Sequence, residues 1–176
     1  MTRRFLAVVP LAILASLVWA DDAAVRPAAE HARQWQRNRE LVKVLVDSGL
    51  NLAGEDDVLK RADQCAGLAA HLASEISQAA QQREGARIAE LGGHLQTLLE
   101  QGVAANLTRA RDAATNGTSL EQQLKELQKQ TADVVGPLED ELQRLQDADS
   151  RDDVQRALKS LRLGRGFVEK ALSVGK

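Results

Sequence analysis

The sequence contains no tyrosine, and its aromatic residues are limited to Phe5, Trp19, Trp35 and Phe167. Base-stacking platforms and aromatic-rich recognition surfaces are therefore hard to build from this chain. Cysteine is nearly absent too. Cys65 stands alone, so no internal disulfide can form and stability must come from packing. Prolines are three, and lysines and arginines are interspersed with acids, with no basic patch to displace counterions from a phosphate backbone. No nucleic-acid partner is expected. Alternating apolar and polar runs are missing and β-branched residues are sparse, which removes the strand signal.

Only one long apolar run exists, and it lies at the beginning. Residues 1–20 combine Arg3 and Arg4, an apolar stretch from Phe5 to Val18, and small residues at the end of a Val18-Trp19-Ala20 tripeptide. This is the layout of a cleaved secretory signal peptide, and the run is shorter than the about 20 residues a membrane span needs. The expectation is an exported protein, periplasmic or secreted, that begins at Asp21 after cleavage. Loss of Arg3 and Arg4 moves the formal charge from −2 to −4. Residues 21–176 suit one domain with a sizeable core.

What is present is helical. Ala, Leu, Gln, Glu and Arg dominate, and apolar positions recur at steps of three and four. The spacing predicts a first helix over residues 27–52 with Trp35, Val42, Leu45 and Val46 as its buried stripe. A second follows the acidic run Glu55-Asp56-Asp57, which complements the positive end of the helix dipole. Its stripe is Val58, Ala62, Cys65, Ala69, Leu72, Ile76 and Ala79. The third carries Ile88, Leu91, Leu95, Leu98, Gly102 and Ala105. The two stripes are out of register with a single rod, so the chain is expected to turn at residues 82–85, with Gly85 as the turn residue.

Thr118 and Glu121 match a capping box that opens a fourth helix. Its stripe runs Leu120, Leu124, Leu127, Thr131, Val134 and Leu138. Gly136-Pro137 is expected to kink it, because proline removes an amide donor and crowds the preceding turn. A fifth helix after Ser150 bears Val154, Leu158, Leu161, Val168 and Leu172, with Gly164 and Gly166 expected to loosen it. The fold class is thus all-α: an antiparallel up-and-down bundle of about five helices. Small residues at Ala62, Ala69, Gly102 and Ala105 are expected to let the second and third helices approach closely.

The chemistry-bearing candidates are few. His71 precedes Glu75 by four residues and Glu90 precedes His94 by four, mirror-placed about the expected turn. Such a pair can chelate an ion from one helix face, which makes these four residues candidate metal ligands. On a helical wheel, however, they lie about 90–130° from the middle of their apolar stripes, which points to solvated flank pairs. Accordingly no metal, cofactor or catalytic residue is assigned. Cys65 falls within the apolar stripe of the second helix and is expected to be a small buried side chain. Asn106-Leu107-Thr108 and Asn116-Gly117-Thr118 match the glycosylation sequon, the first within a helix and the second at a turn.

Taken together, the residues imply a non-enzymatic protein that acts by contact, either with an unknown protein partner or with itself. Three scattered histidines and one buried cysteine cannot supply a nucleophile, base and orienter. The alternative is an amphipathic protein of lipid surfaces, although sparse aromatics and negative charge oppose it, and no membrane binding is expected once the leader is removed. A metal carrier using His71, Glu75, Glu90 and His94 is the remaining reading.

Overall fold

A computed structural model describes residues 32, 35, 36, 38–113, 118–145 and 151–173. The leader at residues 1–20, the start of the first helix, the Thr118 hydroxyl, Ser150 and the Leu172 side chain lie outside the described residues. Every element within them is helical. They are α1 (residues 38–54), α2 (Val58–Gln81), α3 (Gly85–Thr97), a π-helical segment (Leu98–Ala104), α4 (Ala105–Ala113), α5 (Thr118–Arg144) and α6 (Arg151–Ser173). Backbone angles at Thr97, Leu98 and Ala105 are all right-handed helical, so α3 through α4 is one rod. Among the described residues five rods result and the fold is an all-α bundle; from α2 to α6, within residues 48–176, chain direction alternates. The chain divides into two compact units, residues 1–47 and residues 48–176.

In the second unit, Asp57 caps α2: its carboxylate accepts from the backbone amides of Leu59 (2.8 Å) and Lys60 (3.4 Å). Two of the four free donors at the helix start are thereby satisfied. At the other end the chain turns where the stripe registers diverge. The residue that turns it is Arg83, with φ 56°, and not Gly85. Arg83 N donates to Ala80 O (3.1 Å) and Glu84 N to Ala79 O (2.9 Å), the paired bonds of a Schellman motif, whose left-handed position usually carries glycine. Gly85 is buried as the first residue of α3.

Directions within the bundle follow from which ends meet. Ser77 Oγ donates to Glu141 Oε2 (2.7 Å), joining the late turns of α2 and α5. Gly92 faces Ala157 near the starts of α3 and α6, and Arg111 Nη1 donates to Ala171 O (2.6 Å) at the ends of α4 and α6. Each hairpin, α2 with α3–α4 and α5 with α6, is antiparallel. The two hairpins then pack side by side so that like-directed helices adjoin, α2 beside α5 and α3 beside α6, while α2 and α6 sit across the diagonal, as do α3 and α5.

The core follows the expected stripes closely in α2, where Ala62, Cys65, Ala69, Leu72, Ile76 and Ala79 are buried and Val58 is half-buried. In α6 the described stripe residues Val154, Leu158, Leu161 and Val168 are buried. Each fully buried Leu or Ile contributes about 1.5–3 kcal/mol relative to exposure.

Beyond Leu95 the third rod departs from the expected stripe. Leu99, Val103 and Leu107 are fully buried, whereas Leu98, Gly102 and Ala105 are half-buried. Leu91, Leu95, Leu99, Val103 and Leu107 are spaced by four throughout, which in an α-helix drifts about 40° per step. The π segment, with more residues per turn, takes up that drift and holds them on one face. Similarly, Val135 and not Val134 continues the α5 core. Helix α5 runs unbroken through Pro137. Pro137 and Asp133, whose carbonyl loses its amide partner, are both exposed, so water can satisfy that group.

Gly164 does the reverse of loosening α6. A Cβ there would lie 2.8 Å from Leu99 Cδ1 and 3.3 Å from Gln96 Cα, so the glycine admits α3 to close range. Gly102 serves α2 as expected, with a Cβ position 2.8 Å from Cys65 Sγ.

The first helix corrects the sequence reading most. Trp35, Val42, Leu45 and Val46 are exposed, by 63, 56, 38 and 54 %, and the buried residue is Leu41. Helix α1 is apolar on two sides, and the sequence pattern does not say which side is covered.

Candidate functional site

Of the four candidate ligands, the structure pairs one with a residue the sequence reading passed over. Arg87, in the first turn of α3, donates from Nη2 to Glu75 Oε2 at 3.2 Å. Both side chains are largely buried, 10 and 14 % exposed, so this ion pair staples the two arms of the hairpin beside the turn. Opposite charges seven residues before and five after residue 82 were the available signal. His71, one turn from Glu75, is half-buried on α2.

Glu90 and His94 lie on the outer side of α3. His94 Nε2 stands 4.0 Å from Glu90 Oε1, with the side chains 65 and 72 % exposed. A separation of that kind in open solvent contributes at most a few tenths of a kcal/mol, about 0.3–0.5. The mirror placement thus brings the helices together without gathering the four side chains. Among the described residues no three His, Cys, Asp or Glu side chains converge to hold a metal ion.

Cys65 is buried, free, and packed against Gly102. Burial pushes its thiol pKa up, and Arg61 one turn earlier opposes that shift. The thiol is thereby kept in its protonated, weakly nucleophilic form.

Two surface grooves flank α6. The larger, about 640 Å³, runs between α3 and α6, with Ala86, Ala89 and Leu163 as its apolar wall and Glu90, Arg156 and Lys159 at its rim. Arg156 is engaged by Asp153. The smaller, about 180 Å³, lies between α5 and α6, lined by Lys125, Lys129, Thr131, Arg165 and Glu169 among others. Several of its polar groups are committed. Lys125 Nζ donates to Glu121 Oε1 (2.6 Å), holding that carboxyl below its usual pKa, and the Thr131 hydroxyl donates to Leu127 O (2.8 Å). Arg165 Nη1 donates to Glu139 Oε2 (3.0 Å), a carboxylate that is 6 % exposed and whose other oxygen, also buried, has no partner.

Apart from Leu163 of α6, 45 % exposed, the large apolar side chains in solvent lie in and just before α1. Beside Trp35, Val42, Leu45 and Val46 stands Leu50, 68 % exposed, and the Arg39 guanidinium lies 5.7 Å from the Trp35 ring centroid. Five large apolar side chains exposed over residues 35–50 exceed the scatter of single exposed residues usual on a protein surface. Among the described residues no helix is long and apolar enough to cross a membrane. No known protein family matches this chain, and no curated protein or solved structure matches it either.

Proposed function

We propose that this is an exported, non-enzymatic helical-bundle protein that acts by contact with a protein partner or with itself. The observation that carries the reading is the run of apolar side chains that stand in solvent, Trp35 and, on α1, Val42, Val46 and Leu50. A helix apolar on two sides is ordinarily buried, so such a face calls for cover. The arginines at the start of the leader, Arg3 and Arg4, and the Val18-Trp19-Ala20 cleavage pattern support export. Light scattering over a concentration series, with pull-down from the exported fraction, tests the proposal. The expected result is association lost on Val42→Asp/Val46→Asp, and a monomer that retrieves no partner counts against it.

The second reading is reversible binding to a lipid surface. One observation favours it: Trp35 under Arg39 places an interfacial aromatic beside a cation, as helices lying on membranes do. Flotation with anionic vesicles distinguishes the two.

A further inference from the structure

We infer that the π segment is a joint that couples docking of the α5–α6 hairpin to the register of the third rod. The inference is independent of what the protein contacts. Leu91, Leu95, Leu99, Val103 and Leu107 follow one another at steps of four, so in a plain α-helix Leu107 would stand about 160° round from Leu91. A surplus of one residue, stored as a wide turn, brings it back to about 60°. The backbone carries that surplus: the Ala105 amide bonds the carbonyl of Glu100, five residues back. A second face lies one residue earlier. Leu98, Gly102 and Ala105, all half-buried, continue the α-helical phase of Ile88, Leu91 and Leu95. The rod thus has two faces, and the π segment selects the one that buries Leu99, Val103 and Leu107.

Neighbouring helices hold that choice. Leu99 seats against α6 at Gly164, where a Cβ would lie 2.8 Å from Leu99 Cδ1, and this contact joins the two hairpins. Toward α2, the Cβ position of Gly102 lies 2.8 Å from Cys65 Sγ. At both ends of the segment a side chain donates to a carbonyl four residues back, Thr97 Oγ1 to Gly93 O (3.1 Å) and Asn106 Nδ2 to Gly102 O (2.7 Å). Bonds of this kind bend helices. Straightening the rod would turn everything beyond the segment by about 100°, one residue's rotation. Gly102 and Asn106 would then take the core places of Val103 and Leu107. While α6 covers that face, apolar burial outweighs the backbone's preference for α-helix; once α6 leaves, the preference decides.

Two measurements on the full chain test the joint. Deleting Gln101, which is exposed, shortens the Ala105–Glu100 bond to a span of four residues and leaves Leu99, Val103 and Leu107 in α-helical phase. The urea midpoint of that variant should equal or exceed the parent's. Deleting Glu126, exposed between buried Leu124 and Leu127 of α5, should instead lower the midpoint or abolish the transition, because it throws the α5 stripe out of phase. A Gln101 deletion as damaging as the Glu126 deletion would overturn the surplus residue, and so would equal tolerance of both. Coupling to α6 is read by amide hydrogen exchange. Gly164→Ala crowds Leu99 and should raise exchange across residues 98–105 at least about tenfold more than across residues 65–79. Should that variant fail to fold, Leu99→Ala makes the same comparison without crowding. In the Gln101 deletion either substitution should raise exchange in both stretches alike. A uniform rise in the otherwise unaltered chain would overturn the joint and leave Gly164 a packing position only.

Discussion

Gly92 of α3 and Ala157 of α6 touch so closely that a Cβ on the glycine would lie 3.0 Å from both the Cα and the Cβ of the alanine. Its neighbour Gly93, one residue along the same helix, has nothing within 4 Å of its Cβ position. The pair separates two effects that glycine-to-alanine substitution ordinarily mixes. Gly93→Ala should stabilise the bundle by about 0.8–1 kcal/mol through helix propensity alone. Gly92→Ala gains the same propensity but must push α3 off the α6 backbone, an overpacking cost of about 1–3 kcal/mol, so its net effect should be destabilising. Urea unfolding of the two variants checks the opposite signs.

The turn at Arg83 carries strain that glycine would relieve. A non-glycine residue in left-handed conformation costs about 1–2 kcal/mol, part of which glycine returns as unfolded-state entropy. Arg83→Gly should therefore raise stability by about 0.5–1 kcal/mol, and Arg83→Val should lower it, since branching at Cβ opposes a positive φ. Thermal midpoints should rank Arg83→Gly above the parent chain and Arg83→Val below it.

Glu139 is the buried member of an ion pair whose cation reaches solvent, Arg165 being 38 % exposed. Arg165→Met should destabilise by about 1–3 kcal/mol, less than a fully buried pair would lose, because water can still approach the stranded carboxylate. The double variant Glu139→Leu/Arg165→Met removes both charges and should recover most of that loss. The coupling in a double-mutant cycle is the measurement, and additivity would show that the pair contributes nothing.

Cys65 predicts a pH dependence of definite sign. Its pKa is raised in the folded protein from 9.0, chiefly by burial. The denatured chain therefore releases the thiol proton at a pH where the folded chain still holds it. Stability linked to this group is intact below pH 9.0 and is lost as pH climbs through and above that value. Cys65→Ala should flatten this part of the profile. At pH 8 the native thiol should react with Ellman's reagent far more slowly than the denatured one, and equal rates would show that Cys65 is not enclosed.

How much of this was legible beforehand varies by element. Helix α2 could be read almost residue by residue, because its apolar positions keep α-helical phase from Ala62 to Ala79. The fold-back was legible as a register mismatch, although the left-handed residue was not, since arginine carries no signal for positive φ. The burial of Cys65 also followed from its place in the stripe. Arg87 was missed because its partner lies across the turn, where spacing along one helix says nothing. The stripe after Leu95 was misread because a run of four-residue steps fits a drifting α-helix and a π segment alike.

The sequence by itself determined that the chain is helical, where it reverses, and that α2 and α3 form a hairpin. These are matters of local propensity, capping and phase, each settled within a few turns of chain. Only the tertiary structure decided that like-directed helices adjoin, that Gly92 and Gly164 are close-contact positions while Gly93 and Gly166 are open, and that Trp35 faces outward. Those outcomes depend on which surfaces meet across tens of residues. An apolar stripe states that a face prefers cover, and the shapes of distant partners decide whether it receives any.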